Sequence, residues 1–107
     1  MSELKALIAK AKQKKVKAME ELFNQFKPLL KSRARKYSLY GLEYDDVFQQ
    51  ASLIFILAVY EYKERPPVTF AGYIKKRLDW GLWVYSRKWL KKQIEISCGL
   101  KPKENHR

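Results

Sequence analysis

Tyr73, Lys76, Trp80, Trp83, Arg87 and Lys91 recur at steps of three and four within the segment TFAGYIKKRLDWGLWVYSRKWLKK, Thr69 to Lys92. On a helix, residues spaced this way share one face. Indole and phenol rings offer flat surfaces on which unpaired bases stack whatever their identity. Ammonium and guanidinium groups attract phosphate without reading sequence. Rings and cations alternating along one stripe suit a single strand of nucleic acid. A second stripe of the same segment, Phe70, Ile74, Leu78, Gly81, Tyr85 and Trp89, has the spacing of a buried face. The competing reading places Trp80 and Trp83 beneath a neighbouring helix, because indole is usually mostly buried. For either tryptophan alone the core is the better reading; the stripe as a set favours contact.

Charge supports a polyanionic partner. The 107 residues carry 23 Lys and Arg against 11 Asp and Glu, a net +12, which bears on partners rather than on fold. Basic residues crowd Lys5–Lys17, Lys27–Lys36 and Lys75–Lys92, and none lies between Lys36 and Lys63. That gap holds Glu43, Asp45, Asp46 and Glu61 as its only charges, so it reads as a surface turned away from phosphate. Within it, Asp45, Gln49, Ser52 and Ile56 share a narrow helical stripe. Polar groups running into an apolar anchor are a common form of protein-binding helix. The plainer reading is that Asp45 and Asp46 favour a first helical turn through the helix dipole, with Ile56 covered by the first helix.

Catalytic constellations are missing. There is no phosphate-cradling glycine loop, no G-x-S-x-G, and no histidine outside the tail. Asp45 and Asp46 are adjacent and point about 100° apart on a helix, so they form no carboxylate pair. Asp79 is expected to pair with Lys75 or Lys76 one turn away. The single cysteine, Cys98, and the single histidine, His106, exclude a disulfide framework and leave no basis for a metal site. The expectation is a binding protein without enzyme activity, metal or cofactor.

The elements that must position these residues are helical. Glycine and proline are scarce and no strand-like alternation persists. The predicted helices are Glu3–Lys14 capped by Ser2, Val16–Tyr37 kinked or restarted at Pro28, Tyr44–Tyr62, and Thr69–Gln93, with Gly41 in the second connection. The expected fold is all-α, a compact bundle of about four helices over residues 1–96, followed by a flexible basic tail, 97–107. Its core faces are Leu4, Leu7, Ile8 and Ala11; Met19, Leu22, Phe23 and Phe26; and Val47, Ala51, Ile54, Phe55, Ala58 and Tyr62. The longest apolar run, Leu53–Tyr60, is far too short to span a membrane, and no secretory signal is visible. A soluble, cytoplasmic protein is expected.

The stretch Asp46-Val47-Phe48-Gln49-Gln50-Ala51-Ser52-Leu53-Ile54, then Ala58-Val59 and Phe70-x-x-Tyr73, resembles conserved region 2 of bacterial RNA polymerase sigma factors of the sigma-70 family. The upstream text LIAKAKQKKVKAMEELFNQFKPLLKSRARKYSL is similar to the helices that precede that motif. The resemblance spans roughly residues 4–92. It implies that the helix at Tyr44–Tyr62 docks on the clamp helices of the largest subunit of core RNA polymerase, through Asp45, Asp46, Gln49, Gln50, Ser52 and Ile56. It implies that the helix at Phe70–Lys92 recognises and melts the promoter −10 element. Phe70 and Tyr73 match family aromatics, and Lys76, Arg77, Trp80 and Trp83 fall where melting and −10 residues lie. Lys75, Arg87, Lys88, Lys91 and Lys92 would add attraction for the opened strand.

Departures from the family pattern are specific. Housekeeping members carry consecutive tryptophans where this chain has Lys76-Arg77, and Gln-Glu-Gly appears as Gln49-Gln50-Ala51. No −35-reading domain follows, so the chain is expected to be a region-2-only member served by a separate −35-reading protein, or a truncated or diverged relative. The alternative function is a basic nucleic-acid-binding accessory protein with no polymerase partner. A membrane-surface role is weakest, because the second apolar face of the Thr69–Lys92 helix requires a folded core.

Overall fold

The computed structural model describes residues 2–97, arranged as four helices: α1 (Ser2–Lys12), α2 (Val16–Ser38), α3 (Tyr44–Glu61) and α4 (Phe70–Ser97). The expected all-α architecture is present, and the only β pairing among these residues is an isolated bridge between Arg65 and Val68. Cys98, His106 and the tail beyond Ser97 lie outside the described residues; Ser97 itself closes α4.

Helix ends follow local chemistry. Lys14, at φ 65°, and Gly41, at φ 100°, take left-handed conformations that stop α1 early and turn α2 into α3. Thr69 lies just ahead of α4, where its Oγ1 accepts the Gly72 N–H at 3.1 Å, an N-cap in place of a first helical residue. Pro28 does not restart α2, which is continuous through it. The proline is solvent-exposed, while Leu22, Leu30 and Ala34 on the other side are fully buried. Tertiary packing of that face outweighs the loss of one hydrogen bond on the wet side.

α3 is the central element. Val47, Ala51, Phe55, Ala58 and Val59 are fully buried, and Phe55 meets the rings of Phe23 and Phe26 at 5.9 and 5.6 Å. On α4 the buried residues are Phe70, Ile74, Leu78, Leu82 and Ser86, a strict row of fours. Rows of this kind are the ridges that pack across an inclined neighbour. They drift about 40° around the axis per step, so the predicted stripe of Gly81, Tyr85 and Trp89 is only half-buried. Gly81 brings α4 against α3: a Cβ there would lie 2.5 Å from Ile54 Cδ1. Trp89 covers the α2–α3 turn, with its Cη2 3.4 Å from where a Gly41 Cβ would sit.

Candidate nucleic-acid interface

The solvent face of α4 carries two tryptophans that the bundle leaves uncovered. Trp80 is 65% exposed and Trp83 43%. One helical turn apart, they stack on each other, centroids 5.6 Å apart and planes 26° from parallel. The Arg87 guanidinium sits 5.0 Å from the Trp83 centroid, within cation–π range. Trp80, Trp83 and Arg87 thus make one plate of π surface edged by positive charge. Lys75, Lys76, Lys88, Lys91 and Lys92 are exposed along the same helix. The bundle therefore leaves outside the ring-and-cation stripe from Lys76 to Lys91.

Its N-terminal members are placed differently. Phe70, expected among the strand-facing residues, is 5% exposed. Its ring is locked edge-on against Phe26 at 5.4 Å and Tyr62 at 4.9 Å. Phe70 belongs to the core row, because the first turn of α4 is where α2 and α3 converge on it. Tyr73 and Arg77 form a clasp to α3. The Tyr73 hydroxyl donates to the Ala58 carbonyl at 2.7 Å and accepts from Arg77 Nη1 at 3.0 Å. Arg77 also bridges Glu61 at 2.8 Å and lies 5.7 Å from the Tyr73 ring centroid. Burial pushes the Tyr73 phenol above its ordinary value, and the neighbouring Arg77 charge opposes that shift. Arg77 is thus a cation already partnered within the bundle. Asp79 pairs with Arg33 of α2 at 2.9 Å, rather than with Lys75 or Lys76.

Next to the clasp lies a cleft of about 260 Å³ lined by Glu61, Tyr62, Lys63, Arg65, Val68 and Tyr73. Sequence reasoning missed it, because its walls come from the end of α3, the connection and the start of α4. The available signal was the basic pair Lys63 and Arg65 just ahead of Pro66-Pro67. Tyr73 is half-buried here and supplies one wall of the cleft.

On α3, Asp45, Asp46 and Gln49 are exposed and Gln50 is half-buried. Ser52 spends its hydroxyl on the Phe48 carbonyl at 2.9 Å within its own helix. Ile56, the predicted apolar anchor, packs partly buried against the core, on a helix that α1 also contacts. The exposed apolar residues are Leu53 at 56% and Leu57 at 53%. Asp46, Gln50, Leu53 and Leu57 form the outward row, and the run Leu53–Tyr60 already contained both leucines.

Among the described residues no cluster of His, Cys, Asp or Glu has the geometry of a metal site. No described helix is long and apolar enough to cross a membrane. Residues 22–79, more than half of the chain, match the family model for Sigma-70 region 2. No curated protein and no solved structure matches. The matched segment runs from Leu22 in α2 to Asp79 in α4, so Trp80, Trp83 and Arg87 lie just past it.

Proposed function

Because the chain belongs to the Sigma-70 region 2 family, a family of non-enzymatic transcription initiation factor domains, we propose that α3 anchors it to core RNA polymerase while α4 holds the opened −10 strand of the promoter. The observation that carries the α4 half is the exposed Trp80–Trp83 stack with Arg87 over it. Exposed indoles are costly to leave in water and are well suited to bases. Their mutual stack occupies one face of each ring, so a base adds to the open end of the plate or slips between the two. Such a contact contributes roughly 1–3 kcal/mol, enough for two of them to offset the few kcal/mol of extruding a base. The cleft beside Tyr73, with Lys63 and Arg65 at its rim, offers a second place for an unpaired base.

For the α3 half, the supporting observation is a helix face free of cations, with Asp45, Asp46, Gln49 and Gln50 leading to Leu53 and Leu57. Leu53 and Leu57 replace Ile56 as the apolar anchor, and the clamp helices of the largest polymerase subunit are the partner surface. A −35-reading protein, if one is needed, acts beside this chain.

The test is a fluorescence titration with a single-stranded −10 oligonucleotide and the same sequence as duplex. Trp80→Ala and Trp83→Ala are each expected to weaken single-strand binding about 5- to 150-fold, with a much smaller effect on duplex. Equal loss on both substrates would refute the stacking role. Retention of single-strand binding without capture by core polymerase would favour the accessory-protein reading.

A further inference from the structure

Four of the six residues lining the cleft beside Tyr73 belong to the connection between α3 and α4: Tyr62, Lys63, Arg65 and Val68. The tip of that connection is closed on itself, since the Val68 N–H donates to the Arg65 carbonyl at 3.0 Å. Its orientation is therefore set at its base, residues 62–64. The Tyr62 ring packs on Phe70 and Tyr73, but beyond it residues 63–69 are all exposed, so packing does little to fix their course. α1 packs against α2 and α3 but not against α4. A groove of about 810 Å³ separates Leu4 and Ile8 of α1 from Pro66, Pro67 and Phe70. Two polar ties reach from α1 to the base of the connection. The Lys12 ammonium donates to the Tyr62 carbonyl, and Lys5 pairs with Glu64 at 3.0 Å.

Part of this is helix capping. α3 has no basic residue in its last turn and ends on Glu61, although a helix C-terminus favours positive charge. Lys12 supplies that charge at the C-cap, and the Lys14 ammonium lies 6.0 Å from the Tyr60 ring centroid. Capping does not require the second tie, which passes the end of α3 and holds the connection itself. We propose that α1 is the positioning element of the cleft, with Lys12 and Lys5 holding the connection at the angle that keeps the cleft open beside Tyr73. The proposal rests on the reading of that cleft as a place for an unpaired base. An exposed pair such as Lys5–Glu64 adds little to stability, so breaking it lets the connection shift while the bundle stays folded.

The test compares the full chain with Lys12→Met and Lys5→Met on a single-stranded −10 oligonucleotide and on copies with one abasic site at each position in turn. The ratio of intact to abasic affinity cancels the lost lysine charge, because both strands keep every phosphate. In the unsubstituted chain, the penalty that persists when Trp80 and Trp83 are both replaced by alanine marks the base held in the cleft. That penalty should fall about two- to tenfold in Lys12→Met and about twofold in Lys5→Met, with helical circular dichroism unchanged. It should return in Lys12→Arg and in the charge swap Lys5→Glu, Glu64→Lys. Without DNA, the amide resonances of Arg65 and Val68 should move in both methionine variants while those of Leu78 and Leu82 stay. Unmoved Arg65 and Val68 resonances, or an abasic penalty that ignores both substitutions, would overturn the proposal. Resonances that move in a chain with no penalty outside the tryptophan plate would instead refute base binding in the cleft and leave the hold of α1 on the connection in place.

Discussion

Tyr73 shows how a single side chain is pulled between two roles. Its ring walls a cleft, while its hydroxyl ties α4 to the carbonyl of Ala58 and organises Arg77. Tyr73→Phe removes one donor and strands that carbonyl, at a cost of about 1–2 kcal/mol, readable as a lower urea midpoint at pH 8. Burial raises the phenol pKa above its ordinary value of 10.0, and Tyr37 is raised in the same direction, by burial first and the Asp79 charge second. The folded state then holds phenolic protons that the unfolded chain releases near pH 10. The stabilisation is complete below that pH and is lost as pH climbs through the raised folded values. Wild-type stability should decline from about pH 10 upward, and Tyr73→Phe should flatten part of that decline. A variant whose alkaline profile matches wild type would show that Tyr73 is not held as described. Phe70 has no such duality; Phe70→Ala empties a core position and should cost about 3–5 kcal/mol, measured by the same denaturation.

At the scale of elements, the α3–α4 contact depends on Gly81. Alanine is a better helix former by about 1 kcal/mol, yet its Cβ would meet Ile54 Cδ1 at 2.5 Å and Cγ1 at 3.0 Å. Ile54 is β-branched and stiff at χ1, so crowding outweighs propensity. Gly81→Ala should destabilise by about 1–2 kcal/mol, and less in an Ile54→Val background, where Cδ1 is gone. A simple sum of the two single effects in the double variant would rule out this contact as the reason for the glycine. The opposite side of α3 carries the second element-level expectation. Asp46→Arg and Leu53→Ser should each lower capture by core polymerase about tenfold, leave helical content intact, and leave single-strand binding unchanged. Ser52→Ala should do little, since that hydroxyl is spent on the Phe48 carbonyl.

Over the whole molecule, the net charge of +12 is distributed with a purpose that geometry makes readable. Lys75, Lys76, Arg87, Lys88, Lys91 and Lys92 stand exposed on α4, whereas Arg77 is tied to Glu61 and Arg33 to Asp79. If the exposed set each neutralises a phosphate, the log–log salt dependence of single-strand affinity should have a slope of roughly −4. Removing Lys91 and Lys92 should shallow it by about 1–1.5, while Arg77→Ala should change stability more than slope. Titrations at several salt concentrations would separate these outcomes.

Much of this was legible in the residues alone. Helical periodicity, scarce glycine and the uneven spread of lysine dictated an all-helical, basic domain. They also pointed to a cation-free α3 and to a ring-and-cation stripe on α4, because these depend on spacing along one helix. Other matters rested on how helices incline and where they end. The row of fours on α4 turned Leu82 and Ser86 inward, leaving Gly81, Tyr85 and Trp89 half-covered. Convergence of α2 and α3 took Phe70 into the core, and the clasp to Ala58 and Glu61 occupied Tyr73 and Arg77. Contact with the core made Leu53 and Leu57 the free apolar residues of α3 in place of Ile56. Periodicity tells which residues share a face; only neighbouring helices decide which part of that face remains open to a partner.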